Sequence, residues 1–213
     1  MARFCPQHFQ LDLFRHFGID IPPSIGASVQ KRQAEFLAGR ICAQAMLQLH
    51  GRSPTQVNIG THRAPHWPEG IVGSITHNSH FSAAIVTTDP AVKGIGIDIE
   101  TVIEPSLART IKHQIANERE MDSLGAPGSE LSTHQRLTLL FSAKESFFKA
   151  AFRQVGQYFD FSAVELIQLD QENSKMQFRC VDTLSPGLPA GTRFLASYRM
   201  LDEATLMTSV ILT

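Results

Sequence analysis

Long apolar runs are missing from this chain. No stretch approaches the roughly 18 consecutive apolar residues that a membrane-spanning helix needs, so no transmembrane segment is expected. Cysteine is scarce. Cys5, Cys42 and Cys180 are odd in number, widely spaced and form no CxxC, which argues against a disulfide framework or a zinc knuckle and for a reducing compartment. An excess of either charge is lacking too. With 19 Lys+Arg against 20 Asp+Glu the formal charge is −1, so nucleic-acid binding by bulk electrostatics is not expected, although a local basic pocket remains open. Pro6 and Asp12 interrupt MARFCPQHFQLDLF where an export signal needs an unbroken apolar core, so the expectation is a cytoplasmic protein.

What is present is an ordinary globular balance. A chain of 213 residues, 43% hydrophobic and 18% charged, buries a core without metal or disulfide staples. After a Phe-rich start that ends in IPPSIG, the text VQKRQAEFLAGRICAQAMLQLHG reads as a long helix, with Phe36, Leu37, Ile41, Ala45 and Leu49 on one stripe. Residues 51–70 read as loop. Strands are expected in IVGSITH, FSAAIVTTD and KGIGIDIE. Polar helical text from Glu104 closes in the loop GAPGS, and 131–153 read as a second long helix. Four further strands follow, in FSAVELIQLD, KMQFRCV, TRFLASYRM and ATLMTSVIL. Long helices mixed with antiparallel-looking strands in both halves predict an α+β protein, divided into 1–103 and 104–213.

KGIGIDIE carries the first chemical signal. Alternation puts Ile95, Ile97 and Ile99 on one face and Gly96, Asp98 and Glu100 on the other. Adjacent carboxylates repel unless a cation lies between them, and hard oxygens at this spacing suit Mg²⁺. Gly96 then leaves room for a bulky ligand. The same text also fits a half-exposed strand with an acidic outer face. It is no dinucleotide fingerprint, since the third glycine and the following helix are missing.

In LTLLFSAKESFFKAAF, Leu137, Leu140, Phe141, Phe148, Ala151 and Phe152 form a helical stripe with Glu145 at its edge and Lys149 one turn on. Lys144 falls inside the stripe, where it either snorkels outward or enters a polar pocket. Glu145 is a candidate third metal ligand beside Asp98 and Glu100, with the lysines neutralising a phosphate; an ordinary surface pair is the alternative. On the first long helix Arg32 and Arg40 project roughly 80° apart, close enough to face one ligand. Solvated helix charges would look the same. Arg63, Ala64 and Pro65 precede Trp67, a cation, a stiff turn and an aromatic that suit a purine with its phosphate, or simply a packed turn. Thr76 and His77 stand at a strand end, where a histidine can donate to phosphate or merely stabilise the turn.

KRQAEFLAGR, RAPHWPEGIVGSITHN, GIGIDIE and FSAKESFFKA, in this order over residues 31–150, resemble the motif blocks of the 4′-phosphopantetheinyl transferase superfamily, in its larger two-lobed class. The resemblance implies two similar lobes related by a pseudo-twofold axis, each a small, mostly antiparallel sheet on a long helix, in a monomer with coenzyme A in the cleft between the lobes. It implies Mg²⁺-dependent transfer of 4′-phosphopantetheine to a serine of an apo acyl, peptidyl or aryl carrier protein. Asp98, Glu100 and Glu145 match metal-binding acids, with Glu145 also the candidate base. Lys149, and less closely Lys144, match lysines at the diphosphate. His77, after Thr76, matches a phosphate-contacting histidine, Arg32 and Arg40 match cations for the 3′-phosphate, and Arg63 to Pro65 match the adenine-side loop. Ala64 departs from the glycine often found there. With Asp98 and Glu100 in the first lobe and Glu145 in the second, the metal would staple the lobes. A Mg²⁺-dependent nucleotide diphosphate hydrolase and a non-catalytic coenzyme A-binding module are the alternatives.

Overall fold

The computed structural model describes residues 1–52, 56–124 and 131–213; the loop expected at GAPGS lies outside the described residues. The chain divides into two compact units, Met1–Pro90 and Ala91–Thr213.

In the first unit, β1 (Ala2–Arg3), α1 (Asp12–His16) and α2 (Pro23–Gly26) lead into α3 (Gln30–Leu49). The short ladder of β2 (Asn58–Ile59) and β3 (Pro65–His66) precedes β4 (Val72–His77) and β5 (Phe81–Thr87), which pair antiparallel in the sheet order β1-β5-β4. The expected long helix and two strands are thus present, but the helix's expected stripe holds only at Phe36, Leu37 and, half-buried, Ile41; Ala45 and Leu49 face outward. Ala43 and Leu47 of α3 pack with Val57, Ile71 and Val86. Of the early phenylalanines, Phe9 and Phe14 are core while Phe17 is exposed: Phe9 meets Phe14 edge-on, and Phe14 stacks on Phe36 of α3.

The second unit holds β6 (Gly94–Thr101), α4 (Pro105–Ile115), α5 (Glu118–Leu124), α6 (Thr133–Val155), β7 (Val164–Asp170), β8 (Lys175–Cys180), β9 (Arg193–Asp202) and β10 (Thr205–Leu212). Its sheet is antiparallel throughout, in the order β6-β10-β9-β8-β7. α6 starts at a capping box between Ser132 and Gln135 and stops at Gly156, whose φ of 72° suits a residue without Cβ. Leu139, Leu140, Phe147 and Ala151 of the helix enter one core with Phe178, Phe194 and Leu206 of the sheet.

The observed division lies thirteen residues before the expected 103/104 boundary. β6 pairs with β10 from Gly94–Leu212 to Thr101–Thr205, which draws it into the second unit. The sheets also differ in size, three strands against five. Both units are α+β, a long helix on an antiparallel sheet.

Candidate functional site

The second unit gathers the acids. Alternation along β6 holds as expected, but the strand is buried on both faces from Gly94 to Ile99. The room beside Gly96 is not left for a ligand. A Cβ there would stand 1.8 Å from the Ser146 carbonyl oxygen, and one at Gly94 would stand 2.0 Å from that of Ala150. These glycines let α6 lie directly on β6, which brings Asp98 beneath the helix. Ser142 donates to Asp98 Oδ2 at 2.9 Å, and Lys149 Nζ donates to Asp98 Oδ1 at 2.5 Å and to the Ile97 carbonyl at 3.2 Å.

Glu100 and Glu145 flank this pair and are half-buried. Burial, then the charge of Asp98, pushes the Glu100 carboxyl up to about 7, with Glu145 adding to it and Lys149 opposing. Glu145 is likewise raised, chiefly by burial; Lys149 opposes that shift and Asp98 adds to it. Asp98, Glu100 and Glu145 together are a donor set of the hard-oxygen type that fits a divalent cation. Among the described residues, however, no group of three or more His, Cys, Asp or Glu already stands close enough to hold a metal ion. Lys149 supplies the positive charge against Asp98 instead. All three acids belong to one unit, so the expectation that they come from two lobes is corrected: β6 carries Asp98 and Glu100 into the sheet on which α6 packs.

Lys144, expected at the diphosphate, is placed elsewhere. Its side chain is 2% exposed and its ammonium donates to both carboxylate oxygens of Glu120 and to the Ile115 carbonyl at 2.9 Å. Glu120, 1% exposed, also accepts from the Asn117 and Leu166 backbone amides. The lysine joins α6 to the α4–α5 segment and to β7, so the cation inside the apolar stripe is explained by a buried partner and not by a ligand.

The first unit gathers cations. Arg32 Nη1 stands 3.2 Å from His77 Nε2, and Glu35 lies 3.7 Å from Arg32, 3.9 Å from Lys31 and 3.9 Å from His77 Nδ1. Glu35 escaped the sequence reading, although its i+3 and i+4 spacing from Arg32 and Lys31 was the available signal. Arg40 is only 7% exposed and lies 4.3 Å over the Phe36 ring. Its buried Nε has no hydrogen-bond partner, and no ion pair of Arg40 occurs among the described residues. Burial, helped by the charge of Arg32, pulls its guanidinium down to about 10. A buried cation beside a second cation, with no acid paired to it among the described residues, asks for an anion.

Thr76 is buried, its carbonyl accepting from Ser82, while His77 is partly exposed on the other side of β4. Arg63 follows His62 with both in the left-handed region, at φ of 64° and 53°, strain that a surface turn rarely carries without a purpose. Ala64 and Pro65 are half-buried behind them. Trp67 packs into the unit's core against Gly73, where a Cβ would stand 2.7 Å from its ring, so it serves packing rather than a purine.

Comparison with known proteins agrees with the division into units. A family model described as the 4′-phosphopantetheinyl transferase N-terminal domain matches residues 23–87, and one described as the 4′-phosphopantetheinyl transferase superfamily matches residues 94–192. Enterobactin synthase component D of Escherichia coli K12 is 40% identical over 122 residues, 57% of this chain and 56% of that protein. The 4′-phosphopantetheinyl transferase Svp of Streptomyces mobaraensis is 34% identical over 142 residues, 67% of this chain and 57% of the relative. The chain thus spans little more than half the length of these curated relatives. A holo-(acyl-carrier-protein) synthase of Bacillus anthracis, solved in complex with CoA (3′,5′-ADP), aligns at a TM-score of 0.38 and 24% identity over 57% of this chain and 96% of its own.

Proposed function

The chain belongs to the 4′-phosphopantetheinyl transferase superfamily, and from that premise we propose that it transfers 4′-phosphopantetheine from coenzyme A to a serine of an apo carrier protein, with Mg²⁺, releasing 3′,5′-ADP. The observation that carries this reading is the juxtaposition, on β6 and α6, of Asp98, Glu100 and Glu145 with Lys149. Asp98, Glu100 and Glu145 would hold the ion, which when bound offsets the charge of the diphosphate.

The chain's own groups then divide the work. Glu145, raised by burial toward the range of a useful base, takes the proton of the serine hydroxyl. The serine oxygen bonds to the pantetheine-side phosphorus while the phosphoanhydride P–O bond breaks, and its electron pair leaves with 3′,5′-ADP. Lys149, hydrogen-bonded to Asp98, offsets charge on that leaving group. Arg40 and Arg32 supply the cationic setting for the 3′-phosphate, with His77 beside Arg32 as a further phosphate contact, and Arg63, Ala64 and Pro65 form the adenine-side turn. Likeness to enterobactin synthase component D favours a peptidyl or aryl carrier of siderophore assembly.

Intact-mass measurement of apo aryl, peptidyl and acyl carriers incubated with the protein, coenzyme A and Mg²⁺ tests this reading. A gain of one phosphopantetheine on a carrier, dependent on the divalent ion, is expected. Release of 3′,5′-ADP without any carrier would assign a hydrolase instead, and tight coenzyme A binding with no mass gain would leave a binding module.

A further inference from the structure

Three hydroxyls lie fully buried between α6 and the sheet: Ser142 and Ser146, each 0% exposed, and Thr208, 1% exposed. Thr208 stands on β10 directly opposite Asp98 of β6 in the antiparallel register. Ser142 Oγ is 2.9 Å from Asp98 Oδ2 and 2.9 Å from Thr208 Oγ1, and Ser146 Oγ is 2.7 Å from Thr208 Oγ1. Each hydroxyl owns one proton, and an ionised carboxylate only accepts. The direction of the chain is therefore forced. Ser142 spends its proton on Asp98, so Thr208 donates to Ser142, and Ser146 donates to Thr208. Four groups from α6, β6 and β10 are ordered in one sense, each polarising the next.

A buried hydroxyl chain is a poor way to stabilise a fold, because alanine and valine would pack the same volume without desolvating a polar group. Its specific effect is on Asp98. With Oδ2 held from the α6 side by Ser142, Oδ1 is turned toward Lys149, which donates to it. We propose that Thr208, acting through Ser142 and supported by Ser146, is a positioning residue that fixes the orientation of the Asp98 carboxylate toward Lys149. This inference rests on the transferase reading for its effect on turnover, but not for the hydrogen-bonded coupling itself. Thr208 lies outside the matched family region at 94–192 and outside the motif blocks of the sequence.

Thr208→Val keeps the side-chain shape and deletes the hydroxyl; Thr208→Ser keeps the hydroxyl. With a carrier that accepts the group, Thr208→Val lowers kcat about tenfold while KM for coenzyme A changes less than about twofold, and Thr208→Ser restores most of the rate. Ser146→Ala, which removes the far donor, gives the same pattern at smaller size and serves if Thr208→Val fails to fold. A second measurement needs no turnover. In urea unfolding, the midpoint shift caused by Thr208→Val, or by Ser146→Ala, is smaller in an Asp98→Ala background than in the wild type. Unchanged kcat in a transferring enzyme, or midpoint shifts that add, would overturn the proposal. If the wild type modifies no carrier, the transferase reading fails and the unfolding cycle alone decides the coupling.

Discussion

Lys144→Met separates what the motif spacing implies from what the structure assigns. The substitution keeps an unbranched stem in the helix and removes the ammonium from a pair whose side chains are 2% and 1% exposed. Glu120 keeps two donors, the Asn117 and Leu166 amides, but loses its only buried cation among the described residues. Removing one partner of a buried pair costs about 3–5 kcal/mol. The two amides hold the loss near the lower figure, about 3 kcal/mol, a large share of an ordinary domain's stability. Urea unfolding of wild type, Lys144→Met and Lys144→Met/Glu120→Leu measures it. The single variant should unfold at a clearly lower midpoint. The double variant should regain only part of the loss, since it removes the lone buried charge but also takes the carboxylate acceptor from the Asn117 and Leu166 amides. Coenzyme A titration of the folded variant should give an affinity near that of the wild type. An unchanged midpoint together with a large rise in KM for coenzyme A would refute the structural assignment and return Lys144 to the diphosphate.

Further outcomes follow from the same geometry. Glu100 is raised in the folded protein to about 7 from an ordinary 4.5, so the metal-free chain binds this proton more tightly folded than unfolded. Its stability therefore falls as pH rises from about 4.5 through 7, and Glu100→Gln should flatten that part of the profile and stabilise the metal-free protein at pH 8 by about 1–2 kcal/mol, allowing for partial exposure; identical urea midpoints at pH 5 and pH 8 for wild type and variant would contradict this. Arg40→Ala should raise KM for coenzyme A about tenfold or more, as expected for a charge-assisted contact, and leave a 3′-dephosphorylated analogue nearly unaffected; equal effects on both would remove the 3′-phosphate assignment. Gly96→Ala forces a Cβ into the Ser146 carbonyl and should lower the melting temperature by several degrees or prevent folding, through about 3 kcal/mol of overpacking; a wild-type melt would show that α6 shifts away freely.

The secondary structure was largely legible because its periodicity is strong. α6 and the strands β4 to β10 stand where the spacing of apolar residues places them, but on α3 only Phe36 and Leu37 of the expected stripe are fully buried: Ala45 and Leu49 are exposed, and Ala43 and Leu47 turn inward in their place. Partnerships were not legible. Lys144 looked out of place on its helix because its acid, Glu120, comes from a separate helix 24 residues earlier, and helical spacing says nothing about neighbours across a fold. Gly96 looked like space for a ligand because a missing side chain reads the same whether a ligand or a backbone fills the gap. Thr208 was one polar residue in an alternating strand. Only the register that sets it opposite Asp98 gives it a role. The acids themselves were legible as chemistry, since DIE on a strand and KES on a helix are distinctive. Their shared unit was not, because the pairing of β6 with β10 spans nearly the whole second half of the chain.

That pairing has a bearing on biosynthesis. β10 lies between β6 and β9, so β6 has no neighbour in its sheet until more than a hundred further residues have been made. A nascent chain leaving the ribosome therefore carries Ile95, Ile97 and Ile99 on an unpaired edge for the longest interval of any strand in that sheet, and such an edge invites association with other chains. Asp98 gains Thr208 only at the end of this wait. The residues on which chemistry would depend are thus among the last to be assembled, and stalled or shortened chains should accumulate as sticky, catalytically silent intermediates.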